Sequence, residues 1–269
     1  MKAYKFTVIV AVCVMFCIPS AFAGPYGTNI TKYDGIATSP QGIGIGNEDN
    51  ETGPSMVASQ AWDLEAFFLD GKKLSIVGGY NFYTGKENMK AGDIFIDTNG
   101  DATYSPAQIP GGPYSSEQVL SNSLFKYDYV LDIDWAAGTF RIIALNDNSQ
   151  VKLGYYGSTW NMPSNPWVYV PPATGESGLL YSGSFTTYGG YSQSDTGLSG
   201  WGTDNNHFVA TFNLGTYVNL SKGALFHNTM ECGNDNLLGQ TAAVPEPTTL
   251  MLLGLGLVGL GISSRKFKK

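Results

Sequence analysis

Between Tyr127 and Leu145 the chain alternates with a period of two. Tyr127, Tyr129, Leu131, Ile133 and Trp135 are apolar or aromatic, and Asp128, Val130, Asp132 and Asp134 fall between them. Only an extended strand sends every second side chain to the same face. Ala136-Ala137-Gly138 then turns the chain into Thr139-Phe140-Arg141-Ile142-Ile143-Ala144-Leu145. The segment reads as a hairpin with one buried face and one mostly acidic face. A second hairpin joins residues 64–69 to residues 74–77 through Asp70-Gly71, a strong turn dipeptide.

Further strand-like runs cover residues 74–83, 93–97, 167–170, 178–187, 207–213 and 229–231. They are rich in Val, Ile, Tyr, Phe and Thr, as strands favour. No amphipathic helix of any length interrupts them. Strands without intervening helices imply antiparallel sheets, so the expected fold is all-β: an antiparallel β-sandwich or jelly roll, with a single barrel as the runner-up. Residues 155–201 are richer in Gly, Pro, Tyr and Ser and read as long loops or an irregular flap. No fixed-period repeat is present.

The two ends follow different rules. Lys2 and Lys5 precede an uncharged apolar run at residues 7–18, and Ala21-Phe22-Ala23 follows. That order is a signal peptide over residues 1–23, cut before Gly24. Near the other end, residues 248–264 hold no charge. Their 17 residues would span roughly 25 Å as a helix, enough for a thin bilayer. Arg265, Lys266, Lys268 and Lys269 then favour the cytoplasmic side. The expected organisation is a signal peptide at 1–23, a β-sandwich ectodomain at 24–236, an uncharged linker at 237–243 and a sorting and anchoring segment at 244–269 with a transmembrane helix.

Without the two ends, the exported body has 9 basic and 21 acidic residues, a net charge of −12. Nucleic acid and anionic membrane surfaces repel such a body. Only Cys232 lies in it, so no internal disulfide forms even in a compartment that permits one. Burial as a small apolar residue is the expectation for it, and pairing with another chain the alternative.

Chemistry-bearing residues are sparse. Asp97, Asn99 and Asp101 put side-chain oxygens at positions 1, 3 and 5 of a tight turn, as calcium requires. Ala102 and Gln108 stand where the helix-loop-helix calcium pattern has Gly and Glu. The same residues equally make a plain Asx turn. A second acidic group is Asn47, Glu48 and Asp49 with Asn50 and Glu51; a third is Asn234-Asp235. If the first and last strands pair, these two ends meet, and calcium is the candidate cofactor. Catalysis has little support. His207 and His227 are the only histidines, and no Gly-x-Ser-x-Gly elbow occurs. The expectation is a protein without enzymatic activity, though Asp132 and Asp134 resemble a carboxylate pair that a glycosidase uses. Gly254 to Gly259 matches the dinucleotide fingerprint by letter but lacks its βαβ setting. Trp160, Trp167, Tyr169, Tyr188, Tyr191 and Trp201 are candidate exposed rings for stacking on sugars.

The tail supplies the one family resemblance with specific residues. Val244-Pro245-Glu246-Pro247, the apolar segment and the basic end resemble the tripartite sorting tail of PEP-CTERM proteins. The resemblance implies processing by an exosortase, a membrane protease of Gram-negative bacteria that make extracellular polysaccharide. Pro245, Glu246 and Pro247 would be its recognition motif. It implies an inner-membrane anchored intermediate and then a cell-surface or extracellular location. The residues at 46–51, Trp62-Asp63-Leu64-Glu65 and Glu231-Cys232-Gly233-Asn234-Asp235 look, more loosely, like β-rich ectodomains of such surface proteins. The implied role is structural or adhesive, with extracellular polysaccharide as partner. The alternative is a secreted carbohydrate-binding or carbohydrate-active protein.

Overall fold

The two hairpins form, and each seeds a different sheet. β3 (Leu64–Asp70) and β4 (Lys73–Gly78) pair around Gly71, whose φ of 60° suits a residue without a Cβ. β7 (Tyr129–Asp134) and β8 (Thr139–Ala144) pair without a slip from Tyr129 opposite Ala144 to Asp134 opposite Thr139. The computed structural model describes residues 25–34, 59–103, 118–154, 165–173, 175, 177–196 and 206–242.

The first hairpin lies within a five-stranded sheet. Its order is β1 (Thr28–Asn29), β3, β4, β13 (His207–Asn213) and β12 (Thr186–Tyr191). The second hairpin lies within a seven-stranded sheet. There β11 (Leu179–Ser184), β8, β7, β5 (Ile94–Asp97), β14 (Ala224–Thr229), β15 (Asn236–Thr241) and β2 (Thr31–Asp34) follow one another. A small sheet of β10 (Val168–Val170), β9 (Gln150–Lys152) and β6 (Val119–Ser121) makes a third layer. Every pairing is antiparallel. The fold is therefore the all-β antiparallel sandwich that the alternation implied.

Two cores explain the layers. Leu64, Phe67, Leu74, Ile76, Ala210 and Phe212 of the five-stranded sheet face Ile94, Ile96, Leu131, Ile133, Phe140, Ile142 and Phe226 of the seven-stranded sheet. On the far face of the larger sheet, Phe95, Val130 and Ile143 pack with Tyr127, Val151, Leu153 and Tyr169 beneath the small sheet. Burying each such side chain is worth about 1.5–3 kcal/mol. The face of β7 read as acidic is thus divided. Val130 is covered, and Asp132 and Asp134 lie beyond the cover.

Both rims of the sandwich are closed by a chain that steps between sheets. At one, Ile30 separates β1 from β2: its N–H bonds Phe67 O at 2.9 Å, and its carbonyl accepts Gln240 N–H at 2.7 Å. At the other, Phe185 separates β11 from β12 and donates to Gly138 O at 3.0 Å. Both side chains are buried in the main core.

Several boundaries differ from expectation. Residues 237–241, expected as a linker, form most of β15, an interior strand between β14 and β2. Leu237 and Leu238 are buried there, and the absence of charge that suggested a linker reflects this burial. Part of the expected flap is regular: β10, β11 and β12 all fall within residues 155–201. The strand expected at 74–83 ends at Gly78, and that expected at 229–231 is the end of β14. Cys232 is half-buried. Among the described residues, no helix is long and apolar enough to cross a membrane. The expected signal peptide and apolar tail lie outside the described residues.

His227 tests the second core. It is fully buried on β14 and lies 5.9 Å from the Tyr127 ring, nearly parallel to it. Burial lowers its pKa to about 3. The native state therefore holds the neutral imidazole, while the unfolded chain takes up a proton near pH 6.5. Its contribution is complete above pH 6.5 and is lost as pH falls toward 3, by about 1.4 kcal/mol per pH unit. Urea unfolding between pH 7 and 4 is expected to show this slope, and His227→Phe is expected to flatten it. Parallel slopes for the two proteins would contradict the assignment.

Candidate functional site

The small sheet is shorter than the strands it covers, and its end leaves a cleft. The floor is the uncovered outer face of the β7–β8 hairpin, with Asp132, Asp134, Thr139 and Arg141. Trp167 and Val168 line it where β10 begins, with Lys90 alongside and Tyr83 on the same lining. The space measures about 520 Å³, within the range of small-molecule sites. Cross-strand register makes the floor. Asp132 lies opposite Arg141, whose Nε donates to Asp132 Oδ2 at 2.9 Å, with Nη2 donating to the same oxygen. Asp134 Oδ1 accepts Ala137 N–H at 2.9 Å and so shapes the turn. Lys152 Nζ sits 5.5 Å from the Trp167 ring centroid.

The residues that hold the cleft in place are buried. Asp93 Oδ1 accepts Ile133 N–H at 2.9 Å and its Oδ2 accepts Tyr169 N–H at 2.7 Å. One carboxyl thus ties β7 to β10 across the layer boundary. Burial first, and then the charge of Asp132, push this carboxyl well above the ordinary range. Gly92 lets the chains approach, since a Cβ there would lie 2.3 Å from Trp167 O. Trp135 Nε1 donates to Gly92 O at 3.1 Å, and its ring stacks on Phe82 at 4.9 Å. Asp93 and Arg141 carried no functional weight in the sequence. Only the register of the hairpin and the reach of β10 reveal them.

A second polar group joins the two main sheets. Leu64 N–H donates to Asp235 Oδ2 at 2.5 Å, and Asn236 N–H to Asp235 Oδ1 at 2.7 Å. Glu65 Oε2 lies 2.6 Å from His207 Nδ1, and Gln60 Nε2 donates to Glu65 Oε1. Trp62-Asp63-Leu64-Glu65 and Glu231–Asp235, quoted separately from the sequence, therefore meet inside the sandwich. Asp63, Glu65, Asn234 and Asp235 are buried there, and Glu231 is half-buried.

The candidate calcium ligands fall in different places. Asp97 Oδ1 accepts the amides of Asn99 and Gly100 at 2.9 and 2.8 Å, and Oδ2 accepts Ala102 N–H at 3.1 Å. Asn99 Oδ1 accepts Asp101 N–H at 2.9 Å. Asp128 completes the loop, accepting from Thr98 and from Asn99 Nδ2. This is an Asx-type turn that uses its own oxygens. Asp235 is remote from it. Asp97 is opposite Leu225 and Asn236 opposite Thr229, four residues along β14, which is roughly 13 Å of extended strand. The first and last strands of the larger sheet do pair, Asp34 opposite Leu237. Asn47, Glu48 and Asp49 lie outside the described residues, as do Pro245, Glu246 and Pro247. Among the described residues, no group of three or more His, Cys, Asp and Glu is arranged to hold a metal ion. Of the candidate stacking rings, Trp167 and Tyr169 are buried, Tyr191 is half-buried and Tyr188 is exposed. Trp160 and Trp201 lie outside the described residues.

Comparison with known families decides the tail. Residues 243–266 match the PEP-CTERM protein-sorting motif. The motif marks an exported protein for exosortase-dependent sorting. Comparison with curated proteins and with solved structures returns no match. The family match therefore covers the tail and leaves the β-sandwich to be read from its own geometry.

The acidic turn gives a direct test. Asp97→Ala removes the acceptor of three backbone amides and is expected to cost about 2 kcal/mol. Because the oxygens serve the turn itself, the loss in thermal melting is expected to be equal in calcium and in chelator. A penalty that appears only in calcium would make the turn a cation site.

Proposed function

We propose that the chain is an exported adhesive protein of the cell surface or extracellular matrix that holds extracellular polysaccharide in the cleft on its β7–β8 hairpin. On this reading it passes through an inner-membrane anchored intermediate and is processed by an exosortase at its tail. The observation that carries the binding half is the cleft itself. Its floor offers a paired Asp132 and Arg141, an acidic Asp134 and a hydroxyl at Thr139, with aromatic and lysine groups alongside. Sugar rings present hydroxyls at their edges and C–H groups on their faces. Polar groups with fixed orientation suit the first, and aromatic walls suit the second. Charge agrees, since a body at −12 is an unsuitable surface for nucleic acid.

Binding rather than hydrolysis is the form this takes. A glycosidase needs one carboxyl free to give a proton and another free to act as base or nucleophile. Asp132 is held by Arg141, and Asp134 Oδ1 accepts Ala137 N–H in the turn.

Two experiments test the two halves. Full-length protein is expected to bind the polysaccharide of its own host in a glycan pull-down, equally with and without calcium. Tyr83→Ala combined with Lys90→Ala is expected to weaken binding about tenfold, equivalent to about 1.4 kcal/mol. Lys90→Ala alone removes an exposed side chain and is expected to weaken binding with the melting midpoint near that of the parent, which separates lost binding from the loss of the Tyr83 contacts to Phe185 and Thr187. Absence of binding to any polysaccharide, with or without calcium, would end the adhesive reading. For sorting, replacing Pro245, Glu246 and Pro247 with alanine is expected to leave the unprocessed chain in the inner membrane. Normal processing of that variant would remove the motif from the pathway.

A further inference from the structure

Among the described residues, the rim of the sandwich formed by β11 and β12 holds the longest edge strands without a charge. β11 ends the seven-stranded sheet and β12 ends the five-stranded sheet, and the chain passes from one to the other at Phe185. From Ser177 to Ser194 the sequence is SGLLYSGSFTTYGGYSQS, without one charged residue. Exposed edge strands present unpaired N–H and C=O groups, and soluble proteins guard them with charge, proline or brevity. The opposite rim is guarded in this way: β1 has two residues, and β2 carries Lys32. The β11–β12 rim has no charge and no proline.

Apolar side chains are concentrated on the same rim. Leu179 is 46% exposed, Leu180 40%, Tyr188 56% and Tyr217 41%. Tyr217 belongs here because its ring stacks on Tyr181 of β11 at 4.8 Å. Tyr83, 39% exposed, borders the rim too, its ring stacked on Phe185 and its hydroxyl accepting Thr187 N–H; among the described residues only Val119 is a large hydrophobic of comparable exposure elsewhere. Register shifts at Leu180 and between Tyr188 and Tyr191 bend the two strands. They leave Tyr181–Ser184 of β11 as the straight, pairable part, whereas on β12 the Thr187 N–H already donates to Tyr83 OH at 3.3 Å.

We infer that this rim is a self-association surface, and that its occupant is the β11–β12 rim of a second copy of the chain, related by a two-fold axis. Two arguments select a copy of itself. An antiparallel edge strand is its own complement: rotated by half a turn, it offers donors to acceptors and acceptors to donors. Charge selects this rim from the rest of the surface. Two copies each carrying a net charge of −12 over the exported body repel, and that repulsion is weakest where an uncharged strip meets an uncharged strip. Pairing β11 with its copy would join two seven-stranded sheets into one continuous sheet, with the exposed leucines and tyrosines packed across the axis. The straight stretches are short, so the contact is reversible. On a cell surface, where many copies face one another, reversible contacts add through avidity. This inference does not need the cleft to bind a ligand, although β11 adjoins the cleft floor, Ser182 lying opposite Arg141.

The test uses the full chain in detergent, followed by analytical ultracentrifugation across a range of concentrations. The parent is expected to pass from monomer to dimer. Ser182→Lys places a charge on the edge strand, opposite Arg141, and is expected to weaken dimerisation by about tenfold or more, the scale of a like-charge juxtaposition. Ser182→Glu is expected to do the same. Mixing the two variants is expected to restore a dimer, because opposite charges then meet. That rescue separates a lost contact from a lost fold. Val119→Lys, at an exposed apolar position on β6, is expected to dimerise like the parent. A parent that stays monomeric at every concentration overturns the inference. So does association that survives Ser182→Lys, and so does a mixture that fails to recover it.

Discussion

Two buried carboxyl groups hold the layers of this protein in register. Asp235 accepts the amide of Leu64 and so ties the end of the β14–β15 turn to the first residue of β3, across the main core. Asp93 accepts the amides of Ile133 and Tyr169 and so ties β7 to β10, across the second core. Apolar burial drives the sheets together but is indifferent to a slide of one residue along a strand. A buried carboxyl group is not indifferent, because leaving it unbonded costs more than a typical hydrogen bond returns. In a body with a single cysteine, which cannot form an internal disulfide, these bonds take the registering role that a cross-link often has.

The same bonds shape the cleft. Asp93 fixes where β10 begins over the larger sheet, and the small sheet covers Val130 while leaving Asp132 and Asp134 open. Arg141 then faces Asp132 because the hairpin register places them opposite. The polar floor is therefore a by-product of stopping one layer early. This is a common way for a sandwich to acquire a site: the core residues end, and the strand continues with its alternation exposed.

Much of the architecture was legible in alternation and turns, and the misses share a cause. The β7–β8 hairpin shows apolar residues at every second position and the β3–β4 hairpin a strong turn dipeptide at Asp70-Gly71, and both form as read. β14 escaped because His227, Asn228 and Thr229 look polar although all are buried. Asn228 Nδ2 donates to the carbonyls of Gly92 and Asp93, and His227 lies against Tyr127, so polar letters occupy core positions. β15 escaped for the opposite reason: an uncharged run before an anchor looks like a linker until a partner strand lies on each side. The cleft was half visible. Asp132 and Asp134 stood out as an acidic face, but Arg141 and Trp167 join them only through register and a third layer. The tail was readable outright, because its information is a short motif that needs no fold.

Rim and cleft occupy different faces, and this bears on how a surface protein could work. The cleft lies on the outer face of the seven-stranded sheet, where its floor is polar and charged. The β11–β12 rim lies along the sheet edges and is neutral. β8 belongs to both: Thr139 and Arg141 line the cleft, and the strand's other neighbour is β11. A second copy added beyond β11 would extend the sheet sideways and leave the outer face free, because strand pairing uses in-plane groups whereas the cleft uses side chains that stand out of the plane. Two clefts would then sit on one continuous sheet. For a polymeric ligand, that arrangement converts two weak contacts into a much stronger one without any new chemistry, provided the chain of sugars can span from one cleft to the next.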